Sequence, residues 1–311
     1  INIFTKVLEC PSSEELIKTM KESDIVQLEF WNHPILFKTL CELDIPPIRL
    51  LTMFHKNGLY NTNITTLKNL INVSDKFVFT SPSSYFIKNL TELHYQIDLP
   101  KLACVYSSGG FKDLPEIKRS DDEKLSVGYF GSTIFARMNP YYADIINDIN
   151  VIPDLKVKVI GDCKNQSELE KKSQKFEFTG FVENVSEELK KINVNLYLLN
   201  EEHYGTTENA LLESMACGCV PIVNCNLPEK CIIKNGETGF ITNTTFKYSS
   251  PEHKSISDIL LYLHKNPKEL QRIGNNASKY VREKFSVKNT EFGLNQCYYE
   301  VLTTDKKKVF F

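Results

Sequence analysis

A loop, a helix and a strand are predicted in succession by residues 206–223, which read TTENALLESMACGCVPIV. Either Thr206 or Thr207 can cap the helix, because a threonine hydroxyl accepts a hydrogen bond from a free amide of the first turn. One face of the helix is apolar and carries Leu211, Leu212, Met215 and Ala216. Gly218 suits the left-handed residue that ends a helix, and the apolar run behind it suits a strand. The segment therefore predicts one unit of an α/β layer.

The rest of the chain repeats this alternation of short apolar runs and helical stretches. In the first part, the predicted strands are residues 2–4, 25–30, 48–54, 77–80 and 102–105. In the second part, they are residues 127–130, 156–160, 176–179, 196–199, 220–223 and 239–241. Strands that alternate with helices are typical of parallel sheets, in which ligands bind at the carboxyl ends of the strands.

A polar stretch, residues 112–124, interrupts the alternation and predicts a linker between two domains. The length of 311 residues also suits two domains. We therefore expect two Rossmann-like α/β domains, residues 1–120 and 121–286, whose parallel sheets face a central cleft. Because residue 1 is isoleucine, we expect the first domain to lack its start.

Composition narrows the function classes. Hydrophobic residues make up 41% and charged residues 24% of the chain, which suits a globular protein with two cores. The net charge of −2 gives no indication of a nucleic-acid partner. No apolar run approaches the roughly 18 residues that cross a bilayer. Nine cysteines without paired or metal-type spacing indicate reduced thiols, so we expect a cytoplasmic protein.

The start of the helix in residues 206–223 is suited to a phosphate ligand. Its free amides and the positive end of its dipole can hold a pyrophosphate. Glu213 lies four residues after Asn209, so both side chains share the face at the mouth of the helix. A carboxylate there can accept hydrogen bonds from the two vicinal hydroxyls of a ribose.

Residues 211–223 resemble the donor-site signature of retaining glycosyltransferases of the group 1 (family 4) type. Residues 227–240 resemble the next block of that family, and residues 159–162 and 178–182 resemble two earlier ones. The resemblance covers residues 126–302 and implies the GT-B fold. It also implies that the closing helix, residues 287–303, crosses the cleft and completes the first domain.

The resemblance assigns parts of the nucleotide to particular residues. Glu213 resembles the glutamate that binds the ribose, and we assign it to the donor site and to catalysis. The backbone amides of Asn209 and Ala210 take the pyrophosphate positions. Val182 resembles the residue whose backbone reads the edge of the base. These roles are what membership of the family implies.

The segment that starts at Gly131 departs from the family pattern. The family has an arginine directly after the glycine and a lysine six residues after it, where this chain has Ser132 and Arg137. Arg137 can still stabilise the leaving diphosphate, because its planar guanidinium bridges two phosphate oxygens. We therefore assign Gly131, Ser132 and Thr133 to the donor site, and Arg137 to catalysis.

A second departure concerns the glutamate that holds the donor sugar. The family places it eight residues before the ribose glutamate, where this chain has Gly205. Its place is taken either by Glu202, since residues 202–205 resemble the family's Glu-x-aromatic-Gly, or by Glu208. The residues assigned to the donor site here are Tyr204, Gly205, Thr207 and Glu208.

In the first domain, a histidine ends one predicted strand. His55 resembles the strand-end histidine that faces the sugar across the cleft, and we assign it to catalysis. Residues 107–110 resemble the loop that precedes the linker. The glycine-rich loop after the family's first strand has no counterpart before Asn2.

The resemblance implies a hexosyltransferase with a UDP-type or GDP-type nucleoside diphosphate sugar as co-substrate. The acceptor is a hydroxyl of a glycan, a lipid-linked molecule or a protein, in glycan, polysaccharide or glycoprotein synthesis. The anomeric configuration is retained, and the leaving diphosphate helps to deprotonate the acceptor. No cofactor and no metal are expected, because no D-x-D motif follows a strand of the donor half.

Two other functions remain open. The chain could be a catalytically weak GT-B module of a larger protein, which binds a nucleotide or glycan without turnover. It could also be another GT-B enzyme, an epimerase or a phosphorylase, although no pyridoxal-binding lysine motif is found. Residues 306–311, KKKVFF, either contact an anionic membrane or lead into further sequence.

Overall fold

The structure is a computed structural model, and it describes residues 7–60, 62–88, 90, 99–120, 123–242 and 250–311. The predicted strand at residues 2–4 lies outside the described residues. Among those described, no helix is long and apolar enough to cross a membrane. Two parallel sheets are present, one of four strands and one of six, so the prediction of an α/β fold with two parallel sheets is confirmed.

The first domain is an α/β layer with strands in sequential order. Its strands are β1 (Val26–Phe30), β2 (Leu50–Phe54), β3 (Lys76–Phe79) and β4 (Leu102–Cys104), paired in the order β1-β2-β3-β4. Its α-helices are α1 (Ser13–Glu22), α2 (Pro34–Glu42) and α3 (Ile64–Val73). Two 3₁₀ helices span Pro82–Phe86 and Leu99–Lys101.

Local sequence explains where these helices begin. Ser12 and Glu15 form a capping box at the start of α1, in which each side chain bonds the backbone of the other. Pro34 occupies the first turn of α2, where its missing amide hydrogen costs nothing. All five residues of β2 are buried, as expected for a strand that is covered on both faces.

The second domain contains the larger sheet. Its strands are β5 (Val127–Phe130), β6 (Val157–Ile160), β7 (Phe176–Gly180), β8 (Val194–Tyr197), β9 (Val220–Val223) and β10 (Phe240–Ile241). Its helices are α4 (Tyr142–Asp148), α5 (Gln166–Lys172), α6 (Val185–Leu189), α7 (Asn209–Ala216) and α8 (Leu227–Lys230).

The strand order β10-β9-β8-β5-β6-β7 reverses direction between β8 and β5. From β5 the chain runs outward through β6 and β7, and then returns to β8 and runs outward the other way. The loops after β5 and β8 therefore part from each other and leave a crevice at the carboxyl ends of these strands. A ligand of the second domain is therefore expected in this crevice.

Strand β8 begins and ends two residues earlier than the sequence predicts. Leu198 and Leu199 leave the sheet because they pair with another segment. The amide of Asn139 donates to the carbonyl of Leu198 at 3.0 Å, and Leu199 forms an antiparallel bridge with Met138. The strand instead begins at Val194 and includes Asn195, whose buried amide donates to Ser214 at 2.8 Å.

Three C-terminal helices follow: α9 (Ser250–Lys265), α10 (Pro267–Lys284) and α11 (Val287–Leu302). Helix α10 packs on α7, where the Ser278 hydroxyl donates to the carbonyl of Ala216 at 2.8 Å. Helix α11 packs on β2 and β3 of the first domain. Its Cys297 and Val301 are buried with Leu51 and Met53.

The C-terminal tail also lies on the first domain. Lys307 pairs with Ile48 through two backbone hydrogen bonds, and its ammonium lies 2.7 Å from Asp75. Val309 is buried beside Ile48 and Leu50. These contacts anchor the tail, in addition to the contacts of α11.

Candidate active site

A cleft lies between the carboxyl edges of the two sheets, with a cavity volume of about 240 Å³. The first domain contributes Trp31 and His55, directly after β1 and β2. The second domain contributes Arg137 from the loop after β5, residues 204–208, and the first turn of α7. Both walls therefore consist of residues that follow parallel strands.

The loop 203–207 lies against both domains. From the first domain, the amide of Asn57 donates to the carbonyl of Tyr204 at 3.0 Å, and its side-chain amide donates to the carbonyl of His203 at 2.6 Å. Thr80 donates its hydroxyl to Thr206 at 2.9 Å and accepts from Thr207 at 2.9 Å. This loop is a direct polar connection between the domains.

The threonines of this loop do not cap α7, so the prediction of a threonine cap is wrong. The residue before the helix is Glu208, in the left-handed conformation (φ 49°, ψ 63°) and without a capping hydrogen bond from its side chain. Thr206 and Thr207 instead bond to Thr80, which lies far earlier in the sequence. The first amides of α7 consequently keep no side-chain acceptor of this kind.

A buried ion pair joins the loop after β5 to the start of α7. The Arg137 guanidinium lies 2.6 Å from the Glu208 carboxylate, which also accepts from the Tyr197 hydroxyl at 2.8 Å. The other face of the guanidinium lies over the Tyr204 ring, 5.1 Å from its centre. Arg137 is thereby held at the cleft, and the buried Glu208 carboxylate compensates its charge.

Of the two glutamates that the sequence left open, only Glu208 lines the cleft. Glu202 is exposed in the turn before it. A Cβ atom at Gly205 would overlap the Glu208 carboxylate, and would lie 2.9 Å from Arg137. The absence of a side chain at Gly205 therefore makes the space that Glu208 occupies.

Behind this ion pair, His203 and Glu229 are fully buried. The imidazole Nε2 lies 3.1 Å from the Glu229 carboxylate, while Nδ1 accepts the Gly205 amide at 3.1 Å. Burial acts to lower the pKa of His203, but the Glu229 carboxylate outweighs it and raises the pKa above its usual value. The imidazole thus connects a buried carboxylate to the backbone of the cleft loop.

His203, Glu208 and Glu229 each offer an atom to a shared point, within 4.8 Å of one another, and could in principle hold a metal ion. Each carboxylate already faces a cationic or titratable partner, since Arg137 faces Glu208 and His203 faces Glu229. Arg137 balances the charge of Glu208. Glu229 faces Nε2 of His203, the ring nitrogen that carries the proton because Nδ1 accepts the Gly205 amide. The cluster fits a buried charge network that supports the loop.

Asn209 and Ala210, the first two residues of helix α7, line the cleft. About one turn further along, Glu213 is half-buried, and burial raises the pKa of its carboxyl group. No hydrogen bond to this carboxylate is found among the described parts of the chain. Gly110 lies beside it, and a Cβ there would be 3.5 Å from the Glu213 oxygen. Glu213 is thus a carboxylate with room for a donor.

The loop after β5 is tied to the loop after β6. The Thr133 side chain is buried, and its hydroxyl donates to Asp162 at 2.8 Å. Tyr129 donates its hydroxyl to the carbonyl of Ser132 at 2.8 Å. Gly131 packs directly on Gly161. Asp162 therefore accepts from both the hydroxyl and the backbone amide of Thr133, which leaves neither group facing the cleft.

The structure brings together only part of the predicted site. The predicted residues that line the cleft are His55, Arg137, Tyr204, Gly205, Thr207, Glu208, Asn209 and Ala210. Those outside its lining are Gly131, Ser132, Thr133, Val182 and Glu213. Val182 is half-buried and packs near Phe130 and Ile160, next to Phe181, which is 88% exposed.

Sequence reasoning missed three residues that the first domain contributes here, namely Trp31, Asn57 and Thr80. The Trp31 indole stacks on the His55 ring at 4.4 Å with parallel planes, and His55 Nε2 pairs with Glu29. This pairing holds the pKa of the Glu29 carboxyl below its usual value. A signal was available, because Trp31 is the single tryptophan and directly follows a strand. Asn57 and Thr80 gave no comparable signal.

Comparisons with known proteins agree with this geometry. Residues 143–280 match the family model described as Glycosyl transferases group 1. N-acetyl-alpha-D-glucosaminyl L-malate synthase of Bacillus anthracis is 29% identical over 131 residues. That match spans 42% of this chain and 32% of the relative, so the chain covers about a third of that protein.

Solved structures share the whole architecture at low identity. HepE of Anabaena, in complex with UDP and glucose, superposes with a TM-score of 0.72 at 15% identity, over 92% of this chain and 81% of HepE. TarM superposes with a TM-score of 0.69 at 13% identity, over 94% of this chain and 57% of TarM. Sucrose-phosphate synthase from Thermosynechococcus elongatus superposes with a TM-score of 0.69 at 14% identity, over 93% of this chain and 77% of the synthase.

The resemblance noted in the sequence is therefore confirmed for the group 1 family, whereas the retaining subtype stays a prediction. The similar structures establish the fold. The chain has the GT-B fold, and residues 143–280 of its second domain match the family model of the group 1 glycosyl transferases.

Proposed function

We propose that the chain transfers a sugar from a UDP-type or GDP-type nucleoside diphosphate sugar to a hydroxyl acceptor. The observation that carries this proposal is that Arg137 and the first turn of α7 line one cleft, while Glu213 lies about one turn further along α7 and has no hydrogen bond among the described residues. The complexes of HepE with UDP and glucose support it by analogy of fold.

The diphosphate would lie at the first turn of α7. The amides of Asn209 and Ala210 would donate to its oxygens, and the positive end of the helix favours its charge. Arg137 would add a charge from the opposite side, because its guanidinium has more donors than Glu208 can use. Charge that develops on the leaving diphosphate would then meet fixed positive groups, which lowers the barrier.

Glu213 would hold the ribose. Its carboxylate lies further along α7 from the diphosphate amides, and no other group of the described chain occupies it. Two hydroxyls on adjacent carbons can donate to its two oxygens. Val182 and the exposed Phe181 would lie toward the base. The nucleotide would thus extend from the start of α7 toward the loop after β7.

In the reaction, the bond between the anomeric carbon and the diphosphate oxygen breaks, and a bond to the acceptor oxygen forms. The acceptor proton passes to the leaving phosphate oxygen, so atoms and charge balance without a protein nucleophile. This route retains the anomeric configuration, since acceptor and leaving group use the same face. Positioning and charge stabilisation would be the protein's contribution.

No metal is included in this mechanism. Glu208 is already paired with Arg137, and the neighbouring carboxylate of Glu229 faces His203. We also propose that the protein acts in the cytoplasm. A membrane contact through residues 306–311 receives little support, since Lys307 bonds to Asp75 and Val309 is buried in the first domain.

The proposal is tested with the intact chain and a panel of UDP-sugars and GDP-sugars. Release of free UDP or GDP that depends on an acceptor supports transfer. Binding of a nucleotide without release would instead favour a non-catalytic GT-B module. No stabilisation of the protein by either nucleotide in thermal unfolding would contradict both the transferase and a nucleotide-binding module.

A variant pair sharpens the test at the ribose. Glu213→Ala should lose about 1.5–3 kcal/mol of UDP or GDP affinity, the usual scale for hydrogen bonds to a charged group. Glu168→Ala, which removes an exposed carboxylate from α5, should leave the affinity unchanged. Isothermal titration measures both. Equal affinities of the two variants would remove Glu213 from the site.

A further inference from the structure

The first-domain wall of the cleft is dominated by one aromatic ring. Trp31 follows β1 directly and remains 56% exposed, although it lines the same cavity as Arg137 and the start of α7. An indole that faces solvent inside a cleft keeps a large apolar surface in water. Contact with a ligand would remove that surface from water.

Trp31 is held in one orientation from behind. Its ring lies parallel to that of His55, with 4.4 Å between the ring centres. His55 is fixed in turn by its pair with Glu29, which also bonds the side chain of Gln27. The chain turns sharply after Trp31, since Asn32 has a φ of 60°. A preoriented flat face loses little freedom when it binds.

The surroundings of this ring are polar. Around it lie Ser107, Thr206, Thr207 and the Arg137–Glu208 pair. An acyl chain would need a continuous apolar trough, which this lining does not supply. A pyranose ring fits it, because one face of the sugar consists of C–H groups and its rim consists of hydroxyls.

The ring also lies across the cleft from the donor groups. Donor binding would use the second domain, whereas Trp31 belongs to the first and meets the same cavity from the opposite side. We propose that Trp31 is the platform on which a pyranose of the acceptor stacks, so that the acceptor is a carbohydrate. This inference rests on the proposed glycosyl transfer and specifies its acceptor class.

The single tryptophan provides a direct test. All indole emission of the protein comes from Trp31, so its fluorescence reports this position alone. The intact chain is first saturated with UDP or GDP, whichever binds. Methyl glycosides of several hexoses are then titrated in, with glycerol and an alkyl alcohol as non-sugar probes. A saturable emission change with a glycoside, and none with either control, is expected.

Variants separate binding at Trp31 from general damage. Trp31→Ala should raise the KM of the glycoside acceptor by about tenfold, the loss of roughly one good aromatic contact. Trp31→Phe keeps a smaller flat face, so its KM should rise less. UDP or GDP affinity should change less than twofold in both. Tyr299→Ala removes an exposed aromatic ring from α11 and should leave every parameter unchanged.

The outcomes are distinct. An unchanged acceptor KM in folded Trp31→Ala overturns the inference, as does emission that responds to the alkyl alcohol but to no glycoside. Emission that responds to UDP or GDP alone places the ring on the donor and also overturns it. If neither nucleotide binds the protein, the proposed function itself fails. If a nucleotide binds but no glycoside changes the emission, only the inference about Trp31 fails.

Discussion

The two walls of the cleft hold their functional groups by different means. On the second-domain wall, which we propose binds the donor and call the donor wall, the buried carboxylate of Glu208 positions Arg137, and His203 with Glu229 supports the loop from behind. On the first-domain wall, which we propose binds the acceptor and call the acceptor wall, Glu29 positions His55, but its carboxylate is about half exposed. Both walls thus use a carboxylate paired with a basic side chain, but the Glu208 carboxylate is buried whereas the Glu29 carboxylate is in contact with water. We infer that the donor wall is part of the fold's stability, whereas the acceptor wall can change at little cost.

The largest expected effect tests this difference directly. Glu208→Gln leaves the Arg137 charge without its buried partner and should reduce the free energy of unfolding by about 3 kcal/mol. Glu29→Gln makes the same chemical change in a half-exposed pair and should cost at most about 1 kcal/mol. Urea denaturation measures both. Equal losses would show that the two walls do not differ in this respect.

A smaller loss of stability is expected from crowding the donor wall. In Gly205→Ala, the added methyl group meets the Glu208 carboxylate, so the cost should be about 2 kcal/mol, as for overpacked interiors. Combining it with Glu208→Ala removes the obstacle. The double variant should then be more stable than the sum of the two single effects predicts. Additive losses would place the strain elsewhere.

The two walls should also differ in what they bind. Arg137→Lys keeps the charge but loses the planar fork, and we expect UDP or GDP affinity to fall about tenfold. Affinity for uridine or guanosine should not change, since neither carries a phosphate. His55→Asn on the opposite wall should leave all four affinities unchanged. A parallel loss of nucleoside affinity in Arg137→Lys would show a general disturbance of the site.

The smallest effect concerns pH. Burial raises the pKa of Glu213, so the carboxyl group takes up its proton at a higher pH than an ordinary glutamate. The charged form accepts hydrogen bonds better, and nucleoside affinity should fall as the pH is lowered through that raised pKa. Uridine or guanosine is the probe, because phosphate titration is then absent. Glu213→Gln should show a flat profile, and a pH-dependent one would implicate another group.

The difference between the walls also explains what the sequence could predict. Short local patterns predict the strands and predict α7 with the left-handed Gly218 that follows it. Short local patterns also carry the resemblance of the second domain to the family. The Trp31–His55 stack depends on the register that places Phe30 beside Phe54, and no local pattern sets it. The sequence could therefore indicate the donor wall more fully than the acceptor wall.

Two further details required the tertiary structure. The choice between Glu202 and Glu208 depends on the left-handed backbone of residue 208, which turns the carboxylate toward Gly205. The hydroxyls of Thr206 and Thr207 suit a helix cap in isolation. They bond Thr80 instead, and Thr80 comes from the other domain. Competition from a distant partner cannot be seen in a local pattern.

The loop 203–207 has a thermodynamic consequence, since it lines the cleft and bonds Asn57 and Thr80 across it. A ligand that binds the loop better in one arrangement of the domains must shift the equilibrium toward that arrangement. By linkage, anything that separates the domains must weaken that ligand by the same free energy. Affinity and interdomain opening are therefore reciprocal quantities here, and the ligand's difference in affinity between the two arrangements sets the scale of their coupling.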